Sequence, residues 1–114
     1  MGNPDRQVVL ALVTFPNETV AAQVARTLLE ERLVACVNLL PGVRSLYRWE
    51  GRVEDDAEVL GVLKSASDRL ESLTRRVVEL HPYDTPEVVA IDPAAVEGRY
   101  RAWALGQVDE EPGR

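Results

Sequence analysis

The stretch VRSLYRWEGRVEDDAEVLGVLKS, residues 43–65, decides the fold. From Val43 to Glu50 the side chains alternate, so Ser45, Tyr47 and Trp49 share one face of an extended chain and Arg44, Leu46 and Arg48 the other. Glu50-Gly51 is a tight-turn signal. Arg52 to Ser65 continues as a strand through Val59, Leu60, Val62 and Leu63, with Glu54-Asp55-Asp56 as an acidic interruption. The two arms predict a hairpin. At about 3.3 Å per residue the second arm alone would reach roughly 46 Å, whereas a compact chain of this length has a diameter of roughly 34 Å. The hairpin is therefore either bent, by Pro41-Gly42 on one arm and the acidic run on the other, or it protrudes. A protruding hairpin with Tyr47 and Trp49 would expose edge hydrogen bonds and apolar rings that monomers avoid, so self-association is expected.

Working outward, Val34 to Leu40 is a short apolar run that leads into Pro41-Gly42. Val8 to Phe15 is a nearly unbroken, β-branched apolar run, expected as a central strand buried on both faces. Between them, from Glu18 to Arg32, Val20, Ala21, Val24, Ala25, Leu28 and Leu29 recur at three-and-four spacing, with Asn17 as N-cap after Pro16. Beyond the hairpin, Ser67 or Asp68 would cap a second helix with a stripe of Leu70, Leu73, Val77 and Leu80, stopped by Pro82. Glu87 to Asp92 reads as a short strand. Ala95 to Gln107 reads as a third helix with Val96, Tyr100 and Trp103 on one side. Residues 1–6 and 109–114 are polar ends expected to be loose. Helix-length connections between strands imply right-handed crossovers, which gives an α+β, ferredoxin-like (split βαβ) sandwich. Its marks are a long central β-hairpin and an extra C-terminal helix, in one domain over residues 1–114.

The composition narrows function. The 114 residues include 13 basic and 19 acidic ones, a net charge of −6, so nucleic acid and anionic membranes are repelled on average. A lone cysteine, Cys36, cannot make an internal disulfide, and no segment is long and apolar enough for a membrane span; a cytoplasmic protein is expected. Asn17-Glu18-Thr19 matches a glycosylation acceptor but reads as a helix cap. There is no phosphate-binding Gly-rich loop with a following Lys, no nucleophile elbow, no Cys-x-x-Cys and no His-Glu-x-x-His, so no enzyme is expected. Cys36, between Ala35 and Val37 in a strand, reads as a small buried hydrophobe.

The densest chemical segment is HPYDTPE, residues 81–87. It reads first as a helix-to-strand connection shaped by Pro82 and Pro86, with His81 at the negative end of a helix dipole. It reads second as a metal-binding turn offering His81, Asp84 and Glu87.

Taken together, ACVNLLPG (35–42), then Ser45, Tyr47, Trp49 and Gly51 at every second position, Leu63-Lys64-Ser65, HPYDTPE, and finally Tyr100 and Trp103 resemble the CutA family of divalent-cation tolerance proteins. The resemblance runs from about Val8 to Val108. It implies a cytosolic homotrimer joined through its long hairpins, with no required cofactor and with divalent metal ions, copper among them, as ligands. It also implies a metal site drawing on His81, Glu87 and Cys36, and clefts between subunits lined by Tyr47, Trp49, Lys64 and Tyr83; Asn38 and Gly51 also match the family pattern. Some family members carry a second His before His-Pro-Tyr and a Cys before the Thr-x-Pro that ends the first strand. Here Leu80 and Val13 stand there, which lowers the count of soft ligands. The architecture also resembles the trimeric nitrogen-regulatory PII proteins. That makes a small-ligand or partner-binding trimer using Lys64, Tyr83 and Glu87 the alternative reading. An RNA-binding module stacking bases on Tyr47 and Trp49 is opposed by the acidic charge.

Overall fold

A computed structural model describes residues 5–108. The chain runs β1 (Val8–Phe15), α1 (Glu18–Glu30), β2 (Cys36–Trp49), β3 (Arg52–Ala66), a 3-10 turn (Ser67–Arg69), α2 (Leu70–Leu80), β4 (Val89–Ile91) and α3 (Gly98–Gln107). The sheet order β2-β3-β1-β4, with every neighbouring pair antiparallel, is the ferredoxin-like arrangement.

β1 is central, and its odd-numbered residues Val9, Ala11, Val13 and Phe15 are buried under the helices. α1 brings Ala21, Val24 and Leu28 to that face, α2 brings Leu73 and Val77, and β3 adds Val59 and Leu63. The expectation of burial on both faces is corrected. Leu10, Leu12 and Thr14 point the other way and are only half-buried, because α3 covers just one end of that second face, through Ala104 and Val108 packed near Val8 and Ala66. Gly61 on β3 is set by close packing: a Cβ there would lie 2.9 Å from Phe15 Cε2.

Asn17 caps α1, its Oδ1 accepting from the Val20 N–H at 2.9 Å. The start of α2 differs from expectation, since neither Ser67 nor Asp68 caps it. Ser67 Oγ instead accepts from the Gln7 N–H at 2.9 Å, and Asp68 pairs with Arg6 at 2.8 Å, which draws residues 67–69 into a 3-10 turn tied to β1. Arg6, placed by sequence in a loose end, is buried and also donates to the carbonyls of Leu105 and Val108. The rest of the expected loose ends, 1–4 and 109–114, lies outside the described residues. α3 begins at Gly98 rather than Ala95, because the Glu97 carboxylate accepts from the Tyr100 N–H.

The hairpin protrudes, and the molecule measures 49 × 31 × 22 Å. β3 is one continuous strand, unbroken by its acidic run, and Glu50-Gly51 turn the chain with φ of 49° and 79°, both in the left-handed region that a two-residue turn of this type requires. At Pro41-Gly42 the register slips, so Leu40 pairs with Leu60 but Val43 with Glu58. That bulge switches the parity of β2. Ser45, Tyr47 and Trp49 thereby join Cys36, Asn38 and Leu40 on the face opposite the helices, alongside Glu54, Asp56 and Glu58 of β3.

Candidate functional site

The protruding half of the hairpin and the 81–87 turn enclose a cavity of about 730 Å3, lined by Thr14, Tyr47, Trp49, Asp56, Glu58, Tyr83, Asp84 and Glu87 among others. Pro82 ends α2 after Leu80, and His81 becomes its C-cap with extended backbone, which throws the following residues across the end of β1. Tyr83 then reaches β3, where its hydroxyl donates to Glu58 Oε2 at 2.8 Å. Burial, and next the Glu58 carboxylate, push the Tyr83 phenol well above its ordinary range. Across the cleft the Tyr47 hydroxyl donates to Asp56, which pushes that phenol up to about 12. Four carboxylates face one cation, Arg44, and that cation is held by both oxygens of Asp55 at 2.8 and 2.6 Å. The cleft is acidic, aromatic and open.

His81 lies behind this wall, 6% exposed. Its Nδ1 accepts from the Tyr83 N–H at 3.1 Å, which leaves the proton on Nε2 to donate to the Thr14 carbonyl at 2.7 Å. The hydrogen-bond network thus fixes a neutral ring in one tautomer. The ring stacks on Phe15 with centroids 5.2 Å apart and meets Tyr83 at 4.7 Å. Both nitrogens are engaged by the protein, and His81 stands at the C-terminal end of α2, in the connection shaped by Pro82.

Of the residues singled out in the sequence, Tyr47, Trp49, Tyr83 and Glu87 line the cavity. Cys36 and Lys64 do not. They pair with each other at the far end of the sheet, four residues along β3 from Leu60, the partner of Thr14, or about 13 Å at strand rise. Cys36 is half-buried rather than buried, with Sγ 3.9 Å from Lys64 Nζ. Lys64 also donates to Asn38 Oδ1 at 2.6 Å and stands 6.0 Å from the Tyr100 ring centre. Within one protomer His81, Glu87 and Cys36 therefore do not form a common site. Among the described residues no group of three His, Cys, Asp or Glu side chains is arranged to hold an ion. Sequence reasoning missed Asp56 and Glu58, treating the acidic run as an interruption. The usable signal was the alternation Glu54, Asp56, Glu58, which places three carboxylates on one face of β3.

Residues 9–107 match the family model described as CutA1 divalent ion tolerance protein. The chain belongs to the CutA1 family. It is 45% identical over 94 residues to the divalent-cation tolerance protein CutA of Thermus thermophilus, covering 82% of this chain and 91% of that one. It is 44% identical over 103 residues to protein CutA of Mus musculus, covering 90% of this chain and 58% of the mouse protein. The chain thus spans nearly all of the bacterial relative and under two thirds of the mammalian one. Its fold superimposes on the solved divalent cation tolerance protein of Thermus thermophilus with a TM-score of 0.87 and 41% identity, over 90% of this chain and 99% of that one. The CutA resemblance and the α+β fold read from the sequence hold. The relatives are named for divalent-cation tolerance rather than for an enzymatic reaction.

Proposed function

We propose that this CutA1-family chain works as a cytoplasmic homotrimer that binds divalent metal ions, copper among them, at sites completed by neighbouring subunits. The observation that carries this reading is a cleft with the charge for a cation but not the ligand set. Asp56, Glu58, Asp84 and Glu87 converge on one cavity, yet among the described residues no three ligands group around a point. A transition-metal ion takes three or four protein donors, and on this reading a second chain supplies the rest. β2 offers the means of joining, a 14-residue strand at the edge of the sheet whose tip exposes Leu46, Tyr47 and Trp49.

The donors present are carboxylates and phenols, which suit hard divalent ions; copper prefers nitrogen or sulfur. His81 can serve copper only by giving up the Thr14 carbonyl or the Tyr83 N–H, and Cys36 only by approaching from another subunit. Titration of metal-stripped protein with copper and with manganese tests the reading. Wild type should bind both ions, and Asp56→Asn with Glu87→Gln should weaken binding about tenfold or more, roughly 1.4 kcal/mol. Metal binding that is absent from wild type, or unchanged in the carboxylate variant, would overturn it. The cavity's volume and its three aromatic side chains also favour a small organic ligand in the same cleft, in the manner of the PII proteins. Native mass spectrometry of the purified protein would reveal such a ligand as added mass.

A further inference from the structure

The cleft beside the hairpin has features that a metal ion would not use. Its lining joins the rings of Tyr47, Trp49 and Tyr83 to the carboxylates of Asp56, Glu58 and Glu87. A hard divalent ion takes oxygen donors and makes no use of rings beside them. An organic ammonium uses both, its charge drawn to carboxylates and ring faces while its methylenes lie against the rings.

The negative charge there is not answered within the protomer. Arg44, the cation of the lining, is already held by both oxygens of Asp55. Among the described residues the other ion pairs join Arg76 to Glu31 and Glu79, Arg99 to Glu97 and Arg6 to Asp68, and none includes Asp56, Glu58 or Glu87. Glu58 is the sharpest case, because it is only 8% exposed. Its Oε2 accepts from the Tyr83 hydroxyl at 2.8 Å, and among the described residues nothing donates to Oε1. A carboxylate more than nine-tenths buried, lining a cavity with one oxygen unpartnered, calls for a donor that enters the cavity.

Asp56 repeats the arrangement two residues along the strand. Its Oδ2 accepts from the Tyr47 hydroxyl, and Oδ1 has no donor among the described residues. The period of two sets both carboxylates on one face of β3, about 7 Å apart at strand rise. Each carboxylate thus has a phenol on one oxygen and the other oxygen unused. A four-carbon chain with an ammonium at each end spans five bonds of about 1.5 Å in a staggered zigzag, roughly 6 Å, and matches this spacing.

We propose that the cleft binds a linear aliphatic diamine, with one ammonium on Glu58, the other on Asp56, and the carbon chain against Tyr47, Trp49 and Tyr83. Glu87, from the 81–87 turn, adds negative charge on the other side of the cleft. Each ammonium gains a charge-assisted hydrogen bond, and Glu58 gains the donor that the protomer does not give it. Diamine binding rests on the small-ligand reading of the cleft, not on the metal reading.

Titration calorimetry of the full chain with the four-carbon diamine putrescine, with butylamine and with manganese chloride, at matched ionic strength, tests this. Wild type should bind putrescine, and butylamine at least about tenfold more weakly, because a single ammonium leaves one carboxylate unanswered. Glu58→Gln and Asp56→Asn should each weaken putrescine binding at least about tenfold. The exposed Glu71→Gln on α2 should bind as wild type does. Glu58→Gln keeps an acceptor for the Tyr83 hydroxyl and Asp56 is exposed, so both variants should fold; thermal unfolding without amine and light scattering check fold and assembly in each. No putrescine binding by wild type, equal affinity for the two amines, or wild-type affinity in either variant would overturn the proposal. Manganese binding without putrescine binding would overturn the diamine and keep the metal reading. An organic ligand of another class, found as added mass on the purified protein, would overturn the diamine and keep the small-ligand reading.

Discussion

Along the same two strands, Leu63 at the base of the hairpin is 1% exposed while Leu46 near its tip is 61% exposed. The base, Cys36–Leu40 against Leu60–Lys64, lies beside β1 with α1 and α2 packed over one face, and its side chains enter a core that includes Phe15, Leu28, Leu73 and Val77. The tip, from Val43 to Glu58, pairs only with its own partner strand and meets the rest of the protomer chiefly where Tyr83 of the 81–87 turn bonds Glu58, and its side chains are mostly charged or aromatic. The Pro41-Gly42 bulge divides the two and keeps one face continuous across the change. Folding free energy comes from the base, where apolar area leaves water at about 25 cal/mol per Å2. The tip adds little to the protomer and is free to carry a cleft and an interface.

The largest way to break this comparison is Phe15→Ala, which empties the centre of the base and should cost about 3–5 kcal/mol in chemical denaturation. The loss should not depend on protein concentration. Trp49→Ala at the tip should leave the core intact, and any loss of stability it brings should change with concentration, as expected for an interface. Next comes Gly61→Ala, whose Cβ would meet Phe15 Cε2 at 2.9 Å; overpacking should cost about 1–3 kcal/mol. Phe15→Leu should relieve part of that cost in the double variant, which a double-mutant cycle would read.

His81→Phe keeps a ring against Phe15 but strands the Thr14 carbonyl and the Tyr83 N–H. Thr14 is half-buried and Tyr83 exposed, so water reaches both groups, and the loss should be small, about 1 kcal/mol. The smallest effect belongs to the tip and depends on pH. The hydrogen bond to Asp56 favours the neutral Tyr47 phenol in the folded state and pushes it up to about 12, above the unfolded value of ~10. Its stabilisation is therefore complete below the unfolded value and lost as pH rises through the folded one. Ultraviolet titration should show the Tyr47 midpoint falling toward ~10 in Asp56→Asn.

The base was more legible in the sequence than the tip. Val8–Phe15, the α1 stripe and the Asn17 cap are local signals, each readable from spacing and residue type; the strand, the helix and its cap stand in the structure, while the second face of β1 is only half covered and Leu29 of the stripe is exposed. The length of the hairpin arms posed the alternative of bending or protrusion, and the unbroken β3 resolves it. What spacing could not provide was the bulge, since a one-residue register slip inverts faces without altering the alternation on either side. Asp56 and Glu58 went unread for a different reason: the acidic run reads as an interruption of the strand, although its alternation already sets them on one face of β3. Arg6 and the 3-10 turn escaped for another reason. Their partners lie 62 residues apart, between Arg6 and Asp68, and no local pattern encodes such a contact. His81 was seen as both a candidate ligand and a helix-end residue, and the choice depended on which atoms tertiary folding brought to its two nitrogens.

Light scattering behind size exclusion, on dilute wild-type protein, tests most directly whether the tip exists for assembly. The account predicts one species of three times the 12.7 kDa chain, and its shift toward smaller species when Tyr47 and Trp49 are replaced together by Asp. A wild type that persists as a 12.7 kDa monomer would contradict it.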